Sequence, residues 1–410
     1  NLFVTTWILY KISSLLIEDK MVRYVSVMAT IVICGLQCYE GGNLTEEYAL
    51  PWISYALYIF IKYFKNDSYH FADIIGLGVS FAVVSLLRVN MATVWVAFMP
   101  IIFIGMLCRK QYKALGNCAL GFVIGVFCVY LPVFLYTIKT DCLNEMISYY
   151  IQFNFEYSGS FDFKRVLDTI ITFFNLMPAM IIAGVISIVF ELKNRTLLIS
   201  LWGLIVTVIL AYMNGIMHPH YGIIALPIFV VFFSYAISNI YQIVEKILKS
   251  TNKKRYINNL LFVIGVILFT ATAILLKSEI IKQKFGLQSG ISVSNELQSY
   301  LQENTDEEDD VLIIGNDVKY YLVSQRKTSN KYFYQTPPIN VSYSIYQEFI
   351  SELEKNDSDY IVIMGNREEN LSKEDNLSCV CQYLEQLAIE GKYIYQEGND
   401  FYAYIKECEK

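Results

Sequence analysis

The stretch FADIIGLGVSFAVVSLLRVNMATVWVAFMPIIFIGMLC, residues 71–108, is apolar almost without interruption, the exception being Arg88-Val89-Asn90 near its centre. At about 1.5 Å per residue, a single helix over these positions would reach ~57 Å, nearly twice the ~30 Å hydrocarbon core of a bilayer. The chain must therefore turn at Arg88, and the stretch reads as two membrane spans joined by a very short hairpin. Working outward with about 20 apolar residues per span, the expected spans are 2–17, 24–39, 48–64, 71–87, 91–108, 115–138, 166–190, 196–214, 221–244 and 257–276. The expected fold is a polytopic α-helical membrane protein of about ten transmembrane helices over residues 1–277. A small α/β soluble domain follows over residues 278–410.

Composition agrees with this division. The chain has 410 residues, 55% of them hydrophobic and 17% charged, whereas a soluble domain carries about a quarter charged residues. The deficit lies in the first two-thirds of the chain. A net charge of −6 leaves no basic field for nucleic acid. Five of the nine cysteines, Cys34, Cys38, Cys108, Cys118 and Cys128, fall in or beside spans, where a free thiol behaves as a small hydrophobe. Cys379, Cys381 and Cys408 form no disulfide framework, and no histidine near them points to zinc. The chain opens inside an apolar helix at Asn1, as expected of a fragment whose N-terminal span is missing.

Lys and Arg set the orientation. Alternate connections carry Lys20 and Arg23, Lys62 and Lys65, Arg109, Lys110 and Lys113, Lys193 and Arg195, then Lys246, Lys249, Lys253, Lys254 and Arg255. The opposite connections carry only Arg88, Lys139, Lys164 and Arg165. The basic side is expected to be cytoplasmic, which places the tail outside. The outward connections are then EGGNLTEE at 40–47, RVN at 88–90, the aromatic loop at 139–165 and GIMHPH at 215–220. In the tail, β-like segments at 311–315, 331–335, 360–365, 392–396 and 401–406 alternate with helical ones at 317–325, 344–355 and 380–391. That alternation is the pattern of an α/β layer domain.

The residues with chemistry to offer stand at the outward face, where burial of a polar group needs a reason. Asn43, Glu46, Glu47 and Tyr48 open the third span. Two adjacent carboxylates repel, which favours a general base, and they are also a candidate pair for a divalent cation. Equally, Asn43 and Glu46 have the spacing of a capping box, and acids suit a helix N-terminus. Arg88, with Asn90 beside it, offers a planar fork matched to phosphate, or a side chain that snorkels to lipid headgroups. His218, His220 and Tyr221 open a late span. They suit phosphate binding or proton relay, or an interfacial belt. In the loop 139–165, Tyr149, Tyr150, Phe153, Phe155, Tyr157, Phe161 and Phe163 suit a segment lying flat in the interface, with stacking on sugar rings as the other use. There is no P-loop, HExxH, GxSxG or dinucleotide fingerprint.

Three of these outward motifs and one from the tail resemble the GT-C class of membrane glycosyltransferases, in particular the bacterial branch similar to glycosyltransferase family 39 and the protein O-mannosyltransferases. GGNLTEEY with Pro51 resembles that branch's second outward loop. LLRVN at 86–90 resembles its Arg hairpin, with Val89 where a proline is common. HPHYGIIALP at 218–227 resembles its late His-Tyr span entrance, and YYLVSQRKTSNKYFYQ at 320–335 a pattern of its outward domain.

The resemblance implies transfer of a sugar from a polyprenyl-phosphate donor to a cell-envelope glycan, lipid or protein acceptor outside the bilayer. It assigns Glu46 and Glu47 to catalysis. Asn43, Tyr48, Arg88, Asn90, His218, His220 and Tyr221 are assigned to substrate, with no metal ligand set. In the family the principal acid lies in a first outward loop, which is expected to be missing from a fragment opening inside a later span, so the resemblance equally allows Glu46 or Glu47 to be a second, assisting acid. A flippase or transporter of lipid-linked sugars, and a polysaccharide polymerase or ligase, are the competing readings.

Overall fold

The computed structural model describes residues 1–35, 38, 44–153, 162–248, 295–315, 318–333, 336–355 and 358–407. The chain divides into a helical unit, Asn1–Leu143 with Ser160–Leu287, and a tail unit, Asn144–Gly159 with Gln288–Lys410.

The helical unit is built from α1 (Leu2–Leu16), α2 (Lys20–Ala29), α3 (Thr45–Asn66), α4 (Phe71–Leu87), α5 (Thr93–Cys108) and α6 (Tyr112–Lys139). The short α7 (Leu143–Ile147) follows at the boundary with the tail unit, and then α8 (Phe163–Leu176), α9 (Pro178–Glu191), α10 (Arg195–Ala211) and α11 (Leu226–Leu248). The starts follow local chemistry. Asp19 accepts the Met21 and Val22 amides at 2.8 and 3.2 Å to cap α2, and Asp162 and Asn194 cap α8 and α10 in the same way. A π-helical turn over Thr30–Gly35 extends α2.

Length and apolarity separate the helices. Among the described residues, two are long and apolar enough to cross a membrane unaided: α6, and the 28-residue run Pro219–Lys246 that contains most of α11. Counting α8 and α9 as one broken span makes three, and α1, α4, α5 and α10 are shorter apolar helices. The expected span at 257–276 lies outside the described residues. The expected single span at 166–190 is two helices meeting at 87°. Pro178 is the reason. It has no N–H to continue α8 and its fixed φ starts α9. Lys164, Asp168 and Thr172, with Arg165 and Thr169, line one side of α8 at i, i+4 spacing, which makes it amphipathic.

The most apolar part of Pro219–Lys246 is 83% buried, against 11% for that of α6. Among the described residues, the first is therefore the axis of the unit and the second an exposed flank. Small side chains and hydroxyls join the helices, as expected where apolar burial alone does not drive association. Gly78 of α4 faces Gly125 of α6, and a Cβ at either would strike the other helix's backbone, at the Phe122 and Ile75 carbonyls respectively. Ser13 and Ser234 share a buried hydrogen bond of 2.9 Å, and Ser187 donates to the Phe232 carbonyl at 2.8 Å. Phe60, Trp95, Phe98, Phe173, Tyr212, Phe229 and Phe232 fill the core.

The tail unit contains α12 (Asn295–Asn304), β1 (Val311–Ile314), α13 (Lys319–Ser324), α14 (Thr336–Val341), α15 (Tyr343–Lys355) and β2 (Tyr360–Met364). It closes with α16 (Arg367–Ser372), α17 (Asn376–Ile389), β3 (Tyr393–Glu397) and β4 (Phe401–Lys406). The sheet order is β1-β2-β4-β3, with β1 and β2 parallel and the other pairs antiparallel. Period-2 alternation sorts the strands onto two faces. Leu312, Ile314, Ile361, Ile363, Tyr402 and Tyr404 pack with Phe349, Val380 and Leu384 of α15 and α17, whereas Val311, Ile313, Val362 and Ala403 pack with Leu297 and Leu301 of α12. The expected strand at 331–335 does not form over Lys331–Phe333. Tyr332 instead turns into the helix-side core against Phe349.

Candidate functional site

Three sequence-distant segments meet at one end of the helical unit. Glu46 stands in the first turn of α3. Arg88 is the extended residue that ends α4, followed by a 3-10 turn over Val89–Met91. Tyr221 lies in the 3-10 turn Pro219–Ala225 that leads into α11. Arg88 Nη1 donates to Glu46 Oε1 at 3.0 Å, and Nη2 donates to the Tyr221 hydroxyl at 3.0 Å. Its Cζ is also 4.6 Å from the Tyr221 ring centroid, so cation–π attraction adds to the hydrogen bond.

The Glu46 side chain is 3% exposed and that of Arg88 24%. The carboxylate is thus inside and the guanidinium at the rim. Glu46 Oε2 accepts from the Thr45 hydroxyl at 3.0 Å, so both carboxylate oxygens have donors. A charge buried this deeply is tolerated only when paired in this way.

A ring cluster supports Tyr221. His220 meets it edge-on at 4.7 Å and His218 at 5.2 Å, and the two imidazoles stack at 5.2 Å. Tyr212, which is fully buried, donates to the His218 carbonyl at 3.3 Å and lies 6.2 Å from the Tyr221 ring. Arg165 Nε and Thr169 Oγ1 both donate to the Gly215 carbonyl at 3.1 Å, anchoring the start of this loop. Gly215 has φ +68°, in the left-handed region that a side chain rarely adopts.

The structure thus brings together Glu46, Arg88, Tyr221, His218 and His220. Glu47 follows Glu46 and is half-buried, while Tyr48 and Asn90 are exposed. Asn43 lies outside the described residues. Sequence reasoning missed Tyr212 and Thr169, and took Arg165 only as an outward charge. The polar face of α8 and the glycine before His-Pro-His were the available signals. Among the described residues no three His, Cys, Asp or Glu side chains group so as to hold a metal ion.

The opposite ends of the same helices carry a different set. Lys62 of α3 pairs with Asp73 of α4 at 2.8 Å, and Arg109 pairs with Asp67 and bonds the Tyr63 hydroxyl at 2.9 Å. These pairs join neighbouring helices and are partly solvated.

The helices and the small sheet together describe a polytopic membrane protein whose fold is similar to that of ArnT. The solved structure of ArnT from Cupriavidus metallidurans bound to undecaprenyl phosphate superimposes with a TM-score of 0.52 at 10% identity, over 98% of this chain and 82% of that one. The family model described as "Putative competence-induced protein Ccs4 N-terminal domain" matches residues 1–280, and the chain belongs to that family. The curated proteins offer no sequence match.

Proposed function

We propose that this protein is a membrane glycosyltransferase that moves a hexosyl group from a polyprenyl-phosphate carrier to a cell-envelope acceptor at the extracytoplasmic face. About ten spans, a tail outside the membrane and a branch near glycosyltransferase family 39 belong to the same reading. The observation that carries it is the Arg88 guanidinium, held at the rim by the buried Glu46 and by Tyr221. A lipid carrier enters laterally, so its phosphate arrives at the height of the helix ends. ArnT, whose fold is similar, has a polyprenyl phosphate bound.

In this mechanism the acceptor hydroxyl oxygen attacks the anomeric carbon, and the bond from that carbon to the phosphate oxygen breaks. The carrier phosphate leaves with one more negative charge, which Arg88 meets. The hydroxyl proton passes to a carboxylate. Glu46 is engaged with Arg88 and Thr45, so it positions the guanidinium, and Glu47 in the same helical turn receives the proton. His218 and His220 hold the Tyr221 ring.

The test is transfer of radiolabelled sugar from a polyprenyl-phosphate donor to a crude membrane acceptor by the full chain in detergent. Transfer is expected from the wild type and to fall by about 10²-fold or more in Arg88→Ala and in the Glu46→Gln/Glu47→Gln pair. Transfer that survives in these folded variants would displace the site. Binding of the lipid-linked sugar with no transfer would favour a carrier.

A further inference from the structure

The aromatic loop that follows α6 supplies a second place for a ligand. Residues 144–153 group with the tail unit and not with the membrane helices. After α7 the backbone widens into a π-helical turn over Ser148–Gln152, a geometry found frequently at functional sites. The Tyr149 hydroxyl shares a 2.8 Å hydrogen bond with that of Tyr332. The Glu348 carboxylate accepts from Tyr332 at 2.5 Å, from Tyr149 at 3.4 Å and from Lys331. Between these segments lies an open cavity of about 280 Å³, lined by Tyr149 and Phe153 and by Asn144, Ser148 and Ser344, with the buried Ser342 behind Ser344.

We infer that this cavity is a carbohydrate pocket that takes one pyranose ring of a glycan. Pockets for drug-sized ligands measure about 300–1,000 Å³, so a volume just below that range suits a single ring better than a chain. A sugar ring presents C–H faces and a rim of hydroxyls. The wall offers aromatic surface for the first, and Ser148, Ser344 and Asn144 for the second, while the buried Ser342 holds the Ser344 hydroxyl at 2.9 Å. The charged groups need no charged ligand, because Lys331 and Glu348 pair with one another. Glu145 on the rim adds a negative charge that disfavours a phosphate. The site is preorganised, which lowers the cost of binding. Burial pushes the Glu348 carboxyl up, but the bonds from Lys331, Tyr332 and Tyr149 outweigh it and hold the group below the usual carboxylate range. Burial and then Glu348 push the Tyr332 phenol well up, so it stays a donor. Both ends of the link that fixes the Tyr149 ring therefore keep their protonation states at neutral pH.

As a seat for a unit of the acceptor, the pocket rests on the transferase reading. As a sugar pocket it does not. The experiment uses the full chain in a sugar-free detergent, with millimolar methyl glycosides of glucose, galactose, mannose and N-acetylglucosamine as probes. Saturation-transfer NMR is expected to detect at least one of them. Ser344→Phe, at an exposed position, should fill the cavity and abolish the signal. Tyr149→Ala should weaken binding about tenfold, and Arg88→Ala should leave it unchanged. In the wild type alone, the bound glycoside should slow amide exchange in peptides covering 143–153 and not in those covering 45–48 or 88–91. No signal from any probe, a signal that survives Ser344→Phe, or protection only at 45–48 and 88–91 would overturn the inference. Glycoside binding by a chain that transfers no sugar would keep the pocket and remove the transferase reading, and transfer without glycoside binding would do the reverse.

Discussion

Two Arg–Glu–Tyr clusters, one in each unit, use the same groups differently. In the tail, Arg367 grips Glu385 with two parallel bonds, Nε to Oε1 and Nη2 to Oε2, both 2.6 Å. The Tyr404 hydroxyl adds a third bond at 2.6 Å, and the Tyr395 ring lies 5.0 Å from the guanidinium. In the helical unit, Arg88 divides its fork, giving one nitrogen to Glu46 and the other to Tyr221. The first arrangement is closed, because the planar fork is matched to one carboxylate. The second is open, because two anchors fix the plane of the fork while neither saturates it. Burial sharpens the contrast. Glu385 is 20% exposed and Glu46 3%, yet the more deeply buried carboxylate makes the fewer bonds to its arginine. Burying a carboxylate to hold a rim guanidinium is costly as a stability device and sensible as a way to aim a cation at an anion that comes and goes.

The same substitution in both clusters tests this difference. Arg88→Lys keeps the charge but cannot reach Glu46 and Tyr221 at once, so sugar transfer should drop by about 10²-fold. Arg367→Lys should leave transfer intact and cost under ~1 kcal/mol of tail stability, because the pair is partly solvated. The two measurements are transfer rate and denaturant unfolding of the tail. Equal effects on both readouts would erase the distinction between open and closed.

Tyr221→Phe removes only the hydroxyl and keeps the ring under the guanidinium. With one anchor lost the fork is free to swing about Glu46, and a fall of about tenfold in transfer is expected. An unchanged rate would mean that the ring contact at 4.6 Å does the positioning and that the hydrogen bond is incidental.

The two clusters also differ in how far they were legible in sequence. The turn at Arg88 follows from length alone, since no single helix over 71–108 fits a bilayer. Its partner Tyr221 is 133 residues away, and no local pattern reveals so distant a contact. Glu46 was visible as an acid at a helix start, but its engagement with Arg88 separates it from Glu47 in a way that adjacency could not. Tail strands such as 311–314 and 360–364 are legible because alternate residues face two different cores. Lys331–Phe333 misleads for a related reason. Its aromatic content is strand-like, but Tyr332 is used to close on Glu348. Continuity of apolar residues likewise masked the break at Pro178, where one missing N–H outweighs the hydropathy of both flanks.

The smallest effect expected is on acid stability, and it belongs to the closed cluster. Bonding from Arg367, which outweighs burial, holds the Glu385 carboxyl below the usual carboxylate range, with Tyr404 and the Arg367 charge adding to it. A carboxyl whose folded pKa is depressed contributes stability that is fully present above its unfolded value. That contribution is lost as pH falls through the folded value. Hydrogen exchange in peptides covering α17 and β4 reads this locally, without the rest of the chain. At pH 7, Arg367→Ala should exchange faster than wild type there. Once pH has fallen through the depressed folded value the two should converge, because protonated Glu385 no longer gains from the guanidinium. A difference that persists undiminished in acid would mean that Arg367 stabilises the tail by stacking on Tyr395 and not through its charge.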